Sequence, residues 1–139
     1  MKRRINKVLF LGCILVFSLS FSSLVRQEAP DYGKILGDWD VEVDAVEEYY
    51  YLSMTIERSE GELKGTISEA SGSFEDIPLS DIEFDGETLI FGFTAPTPPD
   101  GYERLVTAEF KVGDNKLEGF FSLDDLGISA AATATKKDK

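Results

Sequence analysis

The chain has 139 residues, of which 26 are acidic and 14 basic, for a net charge of −12; that length suits one globular domain and a processed leader, not two domains. Every acidic residue lies at Glu28 or later, together with nine of the basic ones, so the body carries −17, a charge that phosphate backbones and anionic lipid surfaces repel. There is no His, and the single Cys is Cys13, which leaves the body without the usual general base, the usual transition-metal ligand, any disulfide or any thiol nucleophile.

Lys2, Arg3, Arg4 and Lys7 precede a mostly apolar run, Val8 to Phe21, the pattern of an export signal. The small residues Ser20, Ser22 and Ser23 offer a cleavage site, and the expected organisation is a signal peptide over 1–23, a linker and closing turn over 24–36, a β-barrel over 37–135 and a tail over 136–139. An uncleaved anchor from Val8 to Val25 is the alternative, since that length just spans a bilayer. Phe10 to Cys13 resembles a bacterial lipoprotein box, but Ile14 to Phe17 is apolar where a tether is polar, so Cys13 reads as part of the apolar segment.

Pro30 and Gly33 break the segment before Leu36 and leave room for a single helical turn. Trp39, Val41, Val43 and Ala45 then alternate with Asp38, Asp40, Glu42 and Asp44, a period of two that defines a strand with one dry face and one wet face. A slip of one residue would bury four acids, so the register is fixed. The same spread along an outer face keeps those acids from converging on a metal ion. Tyr50 to Arg58 is the second strand, with Leu52, Met54 and Ile56 inward, and Leu63 to Glu69 the third. In Ile77 to Phe84 the apolar positions move from odd (Ile77, Leu79) to even (Ile82, Phe84), which a bulge near Ser80 and Asp81 reconciles.

Asp85 and Gly86 make the strongest hairpin signal, leading to Thr88 to Thr94 with Leu89, Phe91 and Phe93 in phase. Pro96, Pro98 and Pro99 are expected to end that strand. Tyr102 to Val112, Leu117 to Leu123 and Ile128 to about Thr135 complete eight expected strands. Met54 to Ser68 and Ala108 to Ser122 align without gaps, an echo that two hairpins obeying the same rules explain without duplication. Asp124 with Asp125, and Asp114 with Asn115, read as turn residues rather than calcium ligands.

Eight antiparallel strands joined in order close into an up-and-down barrel, with a two-sheet sandwich as the alternative; pairing of the first and last strands distinguishes them. The connections at Ser59 to Glu62, Asp85 to Gly86 and Gly113 to Asn115 share one end and are tight. Those at the other end include two long ones, Ala70 to Asp76 and Ala95 to Gly101. One end is therefore expected closed, with Trp39 and a plug from Asp31 to Leu36, and the other open. Lys136 or Lys137 either stacks over Trp39 or stays in solvent, the ordinary fate of a tail lysine.

Gly37, Asp38, Trp39, after a short helical turn, resembles the opening motif of the lipocalin and calycin superfamily. The body from about Leu36 to Thr135, with its Asp-Gly and Gly-Asp turns before a Leu, is similar to the small lipocalin-like barrel domains of exported bacterial proteins, some of them attached to hydrolases. That resemblance implies a barrel whose base the turn closes. Lipocalins place an Arg against the Trp, where this chain has Lys136 or Lys137.

Gly65, Gly119, Ala108, Ala130, Ala132 and Ala134 are small and expected inward, where they either leave a cavity or accommodate large neighbours. The expected contacts of a ligand are Tyr49, Tyr51, Met54, Phe74, Phe91, Phe93, Tyr102, Arg104 and Phe121, aromatics that would meet an apolar body and an arginine that would hold a carboxylate if it points inward. No catalytic residue, metal ligand or cofactor is expected. The reading is an exported barrel, periplasmic or extracellular, that binds a small apolar or amphiphilic molecule without catalysis. Nucleic acid is not an expected partner, nor a membrane once the signal is removed. The alternative is an accessory module with a filled barrel that contacts a partner protein.

Overall fold

The computed structural model describes residues 29–138. The expected signal segment, its cleavage site and the first part of the linker lie outside the described residues. The described residues are all-β, with nine strands: β1 (Gly37–Asp44), β2 (Tyr49–Ser59), β3 (Glu62–Glu69), β4 (Ile77–Pro78), β5 (Ser80–Phe84), β6 (Thr88–Thr97), β7 (Tyr102–Val112), β8 (Lys116–Leu123) and β9 (Ile128–Lys136). All are antiparallel, in the order β4-β3-β2-β1-β9-β8-β7-β6-β5. The first and last long strands pair along six residues, from Trp39 opposite Lys136 to Asp44 opposite Ala131, so the sheet curls into a nearly closed barrel. Among the described residues no helix is long and apolar enough to cross a membrane.

The run from Ile77 to Phe84, expected as one strand, is two. Ile77 and Pro78 pair with β3, the Leu79 amide donates to the Gly65 carbonyl at 2.8 Å, and β5 then pairs with β6. The register shifts between Ser80 and Glu83, and Asp81 has a φ of 51°: a bulge at this point turns the chain from one edge of the sheet to the other. A second difference concerns Pro96, which lies inside β6, opposite Glu103 of β7. Beyond Gly92 the other flank of β6 carries no ladder to β5, and a proline is tolerated on such an edge.

Alternation decides what is buried. Trp39, Val41 and Val43 of β1 are buried while Asp38, Asp40, Glu42 and Asp44 are exposed, and Leu52, Met54 and Ile56 repeat the pattern on β2. At the base the 3₁₀ turn Tyr32–Lys34 is capped by Asp31, whose Oδ1 accepts from the Gly33 amide, and it delivers Ile35, fully buried, into the barrel. The Trp39 indole N–H donates to the Ile35 carbonyl at 2.9 Å. Lys136 is not free in solvent: its Nζ donates to the Gly33 carbonyl at 3.0 Å and lies 5.6 Å from the Trp39 ring centre. Arg58 stands 4.4 Å over the Tyr32 ring on the other side of the turn. Apolar burial, one satisfied indole and two cation–ring contacts thus close the base.

Gly65 and Gly119 do not leave space. A side chain at Gly65 would press on the Thr55 carbonyl and on Leu79, and one at Gly119 would overlap the carbonyl of Glu109. These glycines let neighbouring strands approach where the sheet coils. Ala108, Ala132 and Ala134 are likewise enclosed by the core. Gly119→Ala should therefore lower the thermal midpoint by roughly 10 °C, the consequence of overpacking against a rigid backbone; an unchanged melting curve by circular dichroism would contradict the close approach.

Candidate functional site

The strand ends farthest from Trp39 enclose a chamber of about 370 Å³. Its walls come from the late parts of β1, β3, β6 and β8 and the early parts of β2, β7 and β9, which are the ends that meet at the looser side of the barrel. The residues here are mostly apolar and several are short: Val43, Leu52, Ala95, Val106 and Ala130. Below them the large side chains Trp39, Met54, Phe91, Phe110 and Leu117 are fully buried in the barrel. The lower half is core and the upper half is hollow, because bulk is unevenly distributed along the inward positions.

An aromatic cluster separates the two halves. Phe121 and Phe93 lie edge to face at 5.7 Å and both line the chamber, while Phe91 and Phe110, centres 6.1 Å apart, pack beneath them. Phe74, on the connection between β3 and β4, turns inward to 6.1 Å from Phe93. That connection is held by Glu69, which accepts hydrogen bonds from the amide and hydroxyl of both Ser71 and Ser73, all on Oε2. Burial pushes the Glu69 carboxyl up, but these bonds to its charged form outweigh burial and leave it below the usual glutamate range.

Tyr50 supplies a polar point on the wall. It is partly buried, lines the chamber, and its hydroxyl donates to Glu48 Oε2 at 3.1 Å. Burial, the bond to Glu48 and the negative charges of Glu48 and Glu69 all raise its pKa, so the phenol stays neutral. At the rim the β1–β2 connection places Val46, 92% exposed, at a φ of 72°, a costly conformation for a β-branched residue; the Asp44 carboxylate holds it by accepting from the Val46 amide at 2.9 Å.

Of the nine expected contact residues, Phe74, Phe93 and Phe121 meet at the chamber. Met54 and Phe91 are buried in the core below it. Tyr49 and Tyr51 are more than half exposed on the outer wall, and the tyrosine on the inner face is Tyr50. The period of two required this, because Leu52, Met54 and Ile56 set the inward parity of β2. Tyr102 is 69% exposed at the rim. Arg104 is partly buried, but its guanidinium is taken: it donates to both carboxylate oxygens of Asp100 at 2.6 Å and to Thr97 Oγ1 at 3.1 Å. Those bonds hold the Asp100 carboxyl at about 2 and raise the Arg104 pKa, so Arg104 is not a free anion anchor. Alternation also marks Val43, Ala95 and Val106 as inward, but it does not say which inward positions lie beside empty space. Comparison with protein-family models, with curated proteins and with solved structures finds no match to this chain.

Because the folded Glu69 carboxyl is lowered, its contribution to stability is complete above the ordinary glutamate pKa and is lost as pH falls through the folded value. A carboxyl-carbon titration by NMR should give Glu69 a midpoint below the ordinary glutamate value, with hydrogen-exchange protection of the Ser71 and Ser73 amides falling in the same range. A midpoint at or above that value would mean that Glu69 does not cap the connection.

Proposed function

We propose that this protein is an exported, lipocalin-like barrel that holds a small, partly apolar molecule in the chamber at its open end and performs no chemistry on it. In this reading β4 and β5 are one bent strand of an eight-stranded up-and-down barrel, and the basic and apolar leader of residues 1–23 directs export. The observation that carries the reading is the chamber: about 370 Å³, walled mainly by apolar side chains and sited over a base of large, fully buried side chains. Sites of this kind take ligands through apolar contact, with a few polar groups fixing orientation; here Tyr50, Glu69, Ser73, Thr97 and Ser129 are the polar residues on the wall.

The absence of catalysis is supported by the donor set. Among the described lining residues the one carboxylate is Glu69, and a lowered pKa makes it a weak base. A filled accessory module fits the chamber less well.

Titration of the exported protein with the neutral fluorophore N-phenyl-1-naphthylamine should give saturable enhancement with a Kd on the order of micromolar. Ala130→Trp, which fills the chamber from β9, should weaken that binding by roughly tenfold or more while keeping a cooperative melt. No enhancement, or enhancement indifferent to Ala130→Trp, would overturn the proposal.

A further inference from the structure

The basic residues are sorted along the barrel axis, while carboxylates stand at both ends. The four connections at the chamber end carry, with the strand ends beside them, ten carboxylates. Asp44, Glu47 and Glu48 flank the first, and Glu69, Glu75 and Asp76 the second. Asp100 and Glu103 lie at the third, Asp124 and Asp125 at the fourth. The one basic residue at this end is Arg104, which Asp100 neutralises. The other described basic residues, Lys34, Arg58, Lys64, Lys111, Lys116, Lys136 and Lys137, lie at or toward the base. None of the described residues lining the chamber is a lysine or arginine, and one is Glu69. All four hydrogen bonds to Glu69 fall on Oε2, and among the described residues none reaches Oε1.

We infer that the chamber selects its ligand by charge, admitting an apolar body that carries a cationic head group and disfavouring the carboxylate of the same shape. The inference rests on the proposed function, since it assigns the ligand class of that same chamber. An apolar chamber has low polarisability, so the field of the rim reaches into it more strongly than through water. A cationic head at the mouth meets the free acceptor of Glu69 and the neighbouring carboxylates with its tail among Phe93, Val106 and Phe121. A carboxylate head there finds, among the described residues, no free cation and nine carboxylates besides the paired Asp100. The bonds that lower Glu69 favour its charged form.

Isothermal titration calorimetry at pH 7 with three probes of one tail length, octyltrimethylammonium, 1-octanol and octanoate, tests this on the exported protein. The cation should bind roughly tenfold or more tighter than octanoate in low salt, with 1-octanol between them, and the gap should shrink at high ionic strength. Glu69→Gln should narrow the ratio of cation to anion affinity. Because that change also alters the cap of the 70–76 connection, the double substitution Glu47→Gln, Glu48→Gln serves as a second arm and should narrow the ratio as well. Octanoate binding as tightly as the cation would overturn charge selection and leave the chamber reading intact. Failure of all three probes and of N-phenyl-1-naphthylamine would overturn both.

Discussion

The fold depends on burying Trp39 at a place where three separate parts of the chain must meet. Its indole is fully enclosed and its N–H finds the Ile35 carbonyl, so the segment before β1 must fold back under the barrel. Its β1 position lies opposite Lys136, so the end of the chain must return to the same spot. A buried indole without an acceptor would be unfavourable by about 1–3 kcal/mol, and loss of the ring by about 3–5 kcal/mol, both large beside the net stability of a small domain. Closing the base this way fixes where an opening can be. The two ends of an antiparallel barrel are not equivalent once one of them holds Trp39, Ile35 and the Tyr32–Lys34 turn, and at the other end Val43, Ala95, Val106 and Ala130 leave space beside Phe93 and Phe121.

The strands were legible because alternation in this sequence is unusually clean. Four acids interleaved with Trp39, Val41 and Val43 leave one register, and the odd-to-even shift between Leu79 and Ile82 marks the bulge that Asp81 makes. What alternation does not carry is the third dimension. It does not show that Leu79 hands the chain from β3 to β6, because that depends on which edge each half of the run meets. Nor does it show that Pro96 can stay in a strand, because that depends on the neighbouring ladder having ended at Gly92. The parity of β2 marks Tyr50 as inward, and nearness to the rim does not bring Tyr49 or Tyr51 to the inner face. Gly65 and Gly119 carry the same lesson in reverse: a missing side chain marks close backbone approach here, not a void.

The site is a consequence of uneven filling, with charge laid over it. Phe74 and the 70–76 connection form a wall that strand periodicity could not place, and Glu69 positions it through hydrogen bonds made within four residues. Arg104, the obvious anchor for an anion, is consumed by Asp100 four residues away. The same short-range carboxylate chemistry thus supports a wall and removes the one positive group from the mouth. The surviving features are an apolar interior, a neutral phenol and a ring of carboxylates.

The barrel is closed and buried around Trp39 and hollow around Tyr50. Crystals held under xenon pressure test it most directly, since xenon enters apolar space and leaves packed core untouched. Xenon should lie between Phe93, Val106 and Phe121; xenon found only among Trp39, Met54 and Phe110, or nowhere inside the barrel, would show that the chamber is not there.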